Sequence, residues 1–568
     1  MKNNLICSPI GKLCKENSSN IIFGKIKNNH ILKKKYNLKE INKTFSKKER
    51  LKELKFLKVF YEKKIKSLVY FLNDYHGTSY DRRFWEIIVG PFLNKLIYIS
   101  RERWLTVKKN IKNTKINECS TVYFDKKNMV PINYEDFYYL FSKDELNCFL
   151  YFKAYKTLFS AQKIKIRYKK IKIVRSYLKI KNQKSILIKI YEKIFSLKKK
   201  NQKYLFFDHY IKKNFYFLLS LRLFNLPFRY FEFDYSIDQI KKKRVLSNLK
   251  FDNKPKSQFD IYFDQIFFYL LPMSYLENFK KINDYSINLK LNPKIIFTSL
   301  AHTSNDTFKI WSANQISKGS KLVTSDHGLI LEKCLNFYNT KIYDFYIRWM
   351  KSDEKNYIQL PPNILLKKLK KQKNNSNKIL VILTTRYFYK RNFYHKNGND
   401  IDEYEFIKKQ IYMLFKNNIH NFYFRIHPSS EMKNELEDLI ELDFGKDKID
   451  NETIFENTFK KYKLFIDTNF ETTFLQTLYH DVPTLLLINY DFIDLNNDIK
   501  KLIKEMKKNN MIINNFHKSK KFIHNIIKDP QIWWNSKKTL QIKKKYLELC
   551  GIKTNDNFSL WFNFFRKI

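Results

Sequence analysis

The second half of the chain alternates short apolar runs with helical stretches, and each apolar run ends in a polar break. That alternation limits the fold more than any other feature. KIIFTSL (294–300) reads as a buried strand and DTFKIWSANQISKG (306–319) as a helix closed by Gly319. KLVTSDHG (321–328) is a second strand running into a loop, and YDFYIRWM (343–350) is a third. The grammar resumes with KILVILTTR (378–386), EYEFIKKQIYMLFKNN (403–418) and NFYFRIH (421–427). It ends in LFID (464–467), TTFLQTLYH (472–480) and TLLLIN (484–489). Strands separated by helices imply parallel sheets with right-handed crossovers. Two such sets predict an α/β protein with two Rossmann-like domains facing a cleft, and ligands held at the carboxyl ends of the strands.

The remaining segments are assigned around these two sets. Residues 1–55 are polar and weakly patterned, and read as a loosely ordered lead-in. From about 56 to 110 the apolar spacing is helical, as in FLKVFYEKKIKSLVYFL. An N-terminal α/β domain on the acceptor side spans 56–351, with a Lys- and aromatic-rich insertion at about 111–290. Within the insertion, QKIKIRYKKIKIVRSYLKIKNQKS (162–185) alternates strictly and predicts an exposed strand or hairpin, or a solvated basic face. Residues 352–377, with Pro361-Pro362 and a basic tail, read as the linker. A C-terminal α/β domain that binds the donor spans 378–530, and helices close the chain over 531–568.

The formal net charge of +54 first points to a polyanion. The composition weakens that reading. The chain holds 94 Lys against 15 Arg, together with 51 Phe and 38 Tyr but only 9 Gly and 12 Pro. This is the footprint of an A/T-rich coding sequence. Where glycine and arginine are scarce, each retained one marks a place where φ freedom, close approach or a planar fork is needed. The six cysteines have no CxxC spacing, so neither a zinc site nor a disulfide framework is indicated. The N-terminus has no apolar signal core, and no uncharged run reaches about 18 residues. A cytoplasmic protein is expected, with peripheral contact on the inner membrane face.

Three polar breaks carry the chemistry expected of the C-terminal domain. Asp467-Thr468-Asn469-Phe470 turns the chain into a helix beginning at Glu471-Thr472-Thr473, with Asp467 or Asn469 as N-cap. Free N–H groups and hydroxyls at a helix N-terminus seat an anion, usually phosphate. FRIHPSS (424–430) adds the forked donor Arg425 and the proton carrier His427. TTRYFYKR (384–391) adds Thr384, Thr385, Arg386 and Arg391. Three such ends suit a nucleotide diphosphate, so Arg386, Arg425, His427, Asn469, Glu471, Thr472 and Thr473 are the donor-site candidates.

In the first domain, SLAHTSNDTFKIW (299–311) offers His302, Asn305 and Asp306, and KLVTSDHG ends in Asp326, His327 and Gly328. A histidine beside a carboxylate at a strand end is a candidate general base. LNDYHGTSYDRRFWEIIVGPFLNKLIYISRERW (72–104) is the densest stretch, with His76, Arg82, Arg83, Arg101 and Arg103. His327, Asp326 and His76 are thus the catalytic candidates, and Arg82, Arg83, Asn305 and Asp306 the acceptor-side candidates. No metal site and no cofactor are expected, since Asp400-Ile401-Asp402 is the kind of triplet that 55 acidic residues produce by chance. No Walker A, GxSxG, HExxH or GxGxxG pattern is present.

Several segments together resemble the transferases of bacterial surface-carbohydrate (O-antigen-type) gene clusters. These are similar in layout to two-domain GT-B glycosyltransferases and to polymer-forming glycerophosphotransferases. The segments are 72–93, 305–328, 343–350, 424–430, 467–478 and PQIWWN (530–535). Two departures stand out. The family's Gln-His-Gly-Gly turn reads Ser325-Asp326-His327-Gly328-Leu329 here, and its tryptophan-glycine-tryptophan-like strand end reads Arg348-Trp349-Met350. The resemblance implies a metal-independent transferase that moves a sugar or polyol phosphate from a nucleotide-activated donor to a glycan or lipid-linked acceptor. A catalytically inactive relative is one alternative. A nucleic-acid-binding protein with a basic, aromatic groove is the other, although no specific nucleic acid is expected as a partner.

Overall fold

The computed structural model describes residues 2–7, 13–23, 35–41, 45–111, 114–123, 129–171, 202–225, 257–289, 291–331, 336–338, 342–352, 357–366, 376–385, 400–488, 492–552 and 556–568, with scattered positions between. The side chains of 416–418 are excepted. The strands form three five-stranded sheets, and every pairing between them is parallel.

The first sheet overturns the expected lead-in. Strands β1 (Lys2–Ile6), β2 (Ser18–Phe23) and β3 (Leu38–Ile41) join β4 (Glu118–Tyr123) and β5 (Lys165–Lys170) in the order β3-β2-β1-β4-β5. A polar ladder through the middle of the sheet disguises it in the sequence. Buried Asn4 donates through Nδ2 to Asn20 Oδ1 at 2.9 Å and accepts from Ser120 Oγ at 2.9 Å. Satisfied in this way, asparagine tolerates an interior position. Strand β5 is the exposed, Lys-rich edge expected from the alternation at 162–185. Its partner β4 is parallel, so it belongs to no hairpin; residues 172–185 lie outside the described residues.

The second sheet holds β6 (Tyr204–Phe206), β7 (Ile295–Thr298), β8 (Lys321–Ser325), β9 (Phe345–Arg348) and β10 (Tyr357–Gln359), side by side in chain order. Its two edge strands come from segments read as insertion and linker. The third sheet holds β11 (Ile379–Ile382), β12 (Phe422–Arg425), β13 (Leu464–Asp467), β14 (Thr484–Leu487) and β15 (Ile512–Ile513), in the order β12-β11-β13-β14-β15. That order reverses direction between β11 and β13. In open α/β sheets, ligands bind at the carboxyl ends of the strands flanking such a reversal.

Two 30-residue helices, Lys47–His76 and Arg82–Ile111, form a hairpin beside the first two sheets. A capping box at Ser46 and Glu49 starts the first helix, and Gly77 ends it at φ +62, the left-handed region that glycine enters freely. The second packs against both the helix Asp144–Leu158 and the crossover helix Asp306–Ser317. Among the described residues, no helix is long and apolar enough to cross a membrane. The last helix, Asn557–Lys567, returns to the second sheet. There Trp561 Nε1 donates to Pro361 O at 2.9 Å and Phe565 packs on Phe297.

One apolar cluster joins the strand ends of the second sheet to the third. Leu329, Trp349 and Met350, from the ends of β8 and β9, pack with Phe470, Phe474 and Tyr546. A buried aromatic or aliphatic side chain contributes about 1.5–3 kcal/mol, so a core of this kind sets how the lobes meet. The α/β layout with Rossmann-like sheets and opposed strand ends is therefore the one that the strand–helix alternation predicts.

Candidate functional site

The crevice is built where β8 and β13 end. Strand β13 stops at Asp467, whose carboxylate is fully buried and organises the turn. Its Oδ1 accepts from Asn469 N at 2.9 Å and its Oδ2 from Thr473 Oγ1 at 2.5 Å. The N-cap of the helix Thr472–Tyr479 is Glu471, not Asp467 or Asn469, and it makes no side-chain cap hydrogen bond. Asn469 is buried, so it shapes the turn and does not line the opening. Next door, Thr468 Oγ1 donates to Ile382 O at 3.0 Å and accepts from Thr384 N at 3.3 Å. The ends of β11 and β13 are thus joined at the point where the strand order reverses.

Thr472 reaches across to the other lobe. Its hydroxyl accepts from the Leu329 amide at 2.9 Å. Gly328 makes this approach feasible: a Cβ built there would lie 3.2 Å from Thr472 Oγ1. The glycine is needed for closeness and not for a positive φ, since 328 is absent from the left-handed positions.

His327 stands beside this contact. It is exposed, yet burial is the leading influence on its imidazole and lowers its pKa; Asp326, Asp208 and Glu471 pull the other way. Exposure combined with crowding is the mark of a side chain in a crevice. His427 has the same character. It is exposed, burial lowers its pKa first, Glu471 raises it and Arg425 lowers it. Its Nδ1 lies 2.8 Å from Ser429 Oγ. Glu471 therefore lies within electrostatic reach of both histidines. Burial thus disfavours the imidazolium form of both, and the neutral imidazole is the form that accepts a proton.

Asp208 and Tyr210, which motif reading missed, complete the wall. Burial raises the Asp208 carboxyl while His327 lowers it, and the Tyr210 ring lies 6.3 Å from that of His327. Both hold positive φ, +51 and +55, a conformation that costs an L-residue and clusters at functional sites. The available signal was a polar break, Asp208-His209-Tyr210, straight after the apolar run YLFF (204–207).

Other expected site residues prove to be structural. Asp326 is buried and points into the sheet. Its Oδ1 accepts from Tyr346 OH at 2.9 Å, its Oδ2 from Trp349 N at 3.1 Å, and Arg348 lies 3.8 Å away. It positions the β8–β9 end and leaves His327 as the exposed member of the pair. His302 is a core histidine, 3.2 Å from Thr324 Oγ1, and burial pushes its pKa down to about 3.

His76 sits at the helix hairpin. Its Nε2 is 3.0 Å from Tyr275 O, and its ring stacks on Trp85 and packs on Phe279. Arg82 binds Glu86 and Glu62, and Arg83 binds Asp344 and Ile342 O. Asn305 caps the helix Asp306–Ser317, and Asp306 is buried against Lys309, Tyr275, Ser274 and Tyr134 N. Arg82, Arg83, Asn305 and Asp306 are thus each engaged by contacts within the fold. Arg425 is committed through Nη1 to buried Asp450 at 2.7 Å. Arg386 and Arg391 lie outside the described residues. Among the described residues, no group of three His, Cys, Asp or Glu is disposed to hold a metal ion.

The model of the LIC12162 family transferase matches residues 4–565, nearly the whole chain. The chain belongs to that family of transferases. No curated protein matches it. Among solved structures, the transferase is similar to spinosyn rhamnosyltransferase SpnG complexed with spinosyn aglycone, at 9% identity and a TM-score of 0.27. That match covers 51% of this chain and 79% of that one. It is also similar to the apo form of the lipopolysaccharide outer core galactosyltransferase WaaB, at 9% identity and a TM-score of 0.25, over 49% and 81% of the two chains. Likeness at this level bears on neither the transferase's substrate nor its site.

Proposed function

We propose that this transferase is a metal-independent, GT-B-type enzyme that moves a sugar or polyol-phosphate group from a nucleotide-activated donor in cell-surface polysaccharide biosynthesis. The observation that carries the reading is the 2.9 Å bond from Leu329 N to Thr472 Oγ1, which gives the strand ends of two lobes a common crevice. The donor's phosphates lie against the N-terminus of the helix Thr472–Tyr479, where amide N–H groups and the helix dipole stabilise negative charge. Glu471, an acceptor when ionised, takes hydroxyls of the ribose or of the transferred group and not phosphate.

His327 removes the proton from an acceptor hydroxyl. The acceptor oxygen bonds to the anomeric carbon or to phosphorus, and the bond to the leaving nucleotide breaks. His427 and the helix N-terminus stabilise the departing phosphate, an electrostatic role. Arg425 contributes its charge from beside His427 while Asp450 holds it. The acceptor is a glycan or a lipid-linked glycan, met at the cytoplasmic face of a membrane.

The test is nucleotide-stabilised melting with UDP, CDP, CMP and GDP. One of them is expected to raise the melting temperature of wild type by a few degrees, as ligand in excess over Kd requires, and to do so far less for Thr472→Val. A wild-type melting temperature unmoved by all four defeats the donor site.

A further inference from the structure

We propose that the exposed face of the helix Lys213–Arg222, together with Phe224, docks on an anionic lipid bilayer. The inference rests on the lipid-linked acceptor proposed above and assigns the surface that would bring the enzyme to it. Among the described residues, twenty large hydrophobic side chains are exposed, and five of them fall between 210 and 224. They are Tyr210, Phe217, Leu218, Leu221 and Phe224. Scattered single exposures are ordinary, whereas a contiguous patch marks an interaction surface.

The patch is built on one helix face. Phe217, Leu218 and Leu221 lie on the side opposite the buried Tyr216, Leu219 and Ser220. Phe224 is the extreme case. It is 101% exposed and holds φ +51, a left-handed conformation that is unusual for a bulky L-residue. Its ring is thus projected outward just beyond the helix end.

Charge selects the occupant. Residues 211–225 contain Lys212, Lys213 and Arg222 and no acidic residue. All three cations are exposed. Lys212 also pairs with Glu456, and Arg222 lies over Phe558 and Phe562. Glu456 and Asp556 lie near Lys212 and Arg222, but the segment that carries the apolar face bears only cations, and cations flanking exposed Phe and Leu suit an anionic headgroup layer above acyl chains. The patch follows directly from the 208–210 loop, whose Tyr210 borders His327. A membrane bound here would lie beside the crevice.

The test is sedimentation of the full chain with vesicles of phosphatidylcholine alone, or of phosphatidylcholine mixed equally with phosphatidylglycerol, without donor or acceptor. Wild type is expected to pellet with the anionic vesicles, less so as salt rises. Leu221→Glu/Phe224→Glu is expected to pellet at least about tenfold less, with an unchanged melting temperature. A second variant, Phe217→Ser/Leu218→Ser, is expected to show the same loss and guards against misfolding of the first. Wild type that stays in solution with both vesicles, or variants that pellet like wild type, would overturn the proposal, as would equal binding to the neutral vesicles. Nucleotide-stabilised melting of these variants reports separately on the donor site, so the two readings fail independently.

Discussion

The segment 72–104 and the strand ends at 326–329 and 467–473 look alike in sequence, each crowded with histidine, arginine, glycine or carboxylate. In the fold they are opposites. Around the helix hairpin the histidine and arginines are engaged within the fold: His76 by Tyr275 O, Arg82 by Glu62 and Glu86, Arg83 by Asp344, Arg101 by Glu53 and Arg103 by Glu102 and Asn147. In the crevice, among the described residues, the side chains of His327 and Glu471 make no hydrogen bond and His427 engages only Ser429. Charged density that is paired internally holds helices together, and density left unpaired at an opening is available to a ligand. A buried cation that loses its partner costs on the order of 3–5 kcal/mol, so the fully buried Arg103 is held for the fold.

The sharpest break in that comparison is a pair of histidine substitutions. His327→Asn is expected to lower turnover by about 100- to 10,000-fold, the range for a lost general base, with melting unchanged because the side chain is exposed. His76→Asn is expected to leave turnover per folded molecule near wild type and to lower stability by about 1–2 kcal/mol. Steady-state rates and melting curves on both proteins check this, and the opposite pattern would exchange the roles of the two regions.

A smaller effect separates core from crevice by pH. His302 and His480 have pKa values lowered to about 3 and about 4 from 6.5, burial being the first cause in each. The unfolded chain therefore binds more protons than the folded one between those values. Their stabilising contribution is complete above pH 6.5 and is lost as pH falls toward 4, at no more than about 1.4 kcal/mol per pH unit for each histidine. His302→Phe should flatten that slope in chemical denaturation. An unchanged slope would mean that His302 titrates normally.

Much of the second and third sheets was legible because parallel strands buried on both faces read as short apolar runs, and their ligand-binding ends read as polar breaks. The positions of Thr472 and His327 at strand ends were legible in this way. The first sheet was hidden because Asn4, Asn20 and Ser120 satisfy one another inside it, so its strands look half polar. The hairpin misled for a related reason. Two of the contacts that engage it, Asp344 with Arg83 and Tyr275 O with His76, lie roughly two hundred residues or more away in sequence, and the rest depend on how the helices pack. The Asp208–Tyr210 wall went unread because β6 is only three residues long and sits in a stretch taken for an insertion.

The measurement that bears most directly on the account is a titration of the histidine imidazoles by NMR, with and without the nucleotide found by melting. The account predicts that the His327 and His427 resonances titrate below 6.5 in the free protein and move to higher pKa when an anionic nucleotide binds beside them, while those of His76 and His302 stay fixed. Saturating nucleotide that leaves His327 and His427 unmoved, or that shifts His76 instead, would contradict it.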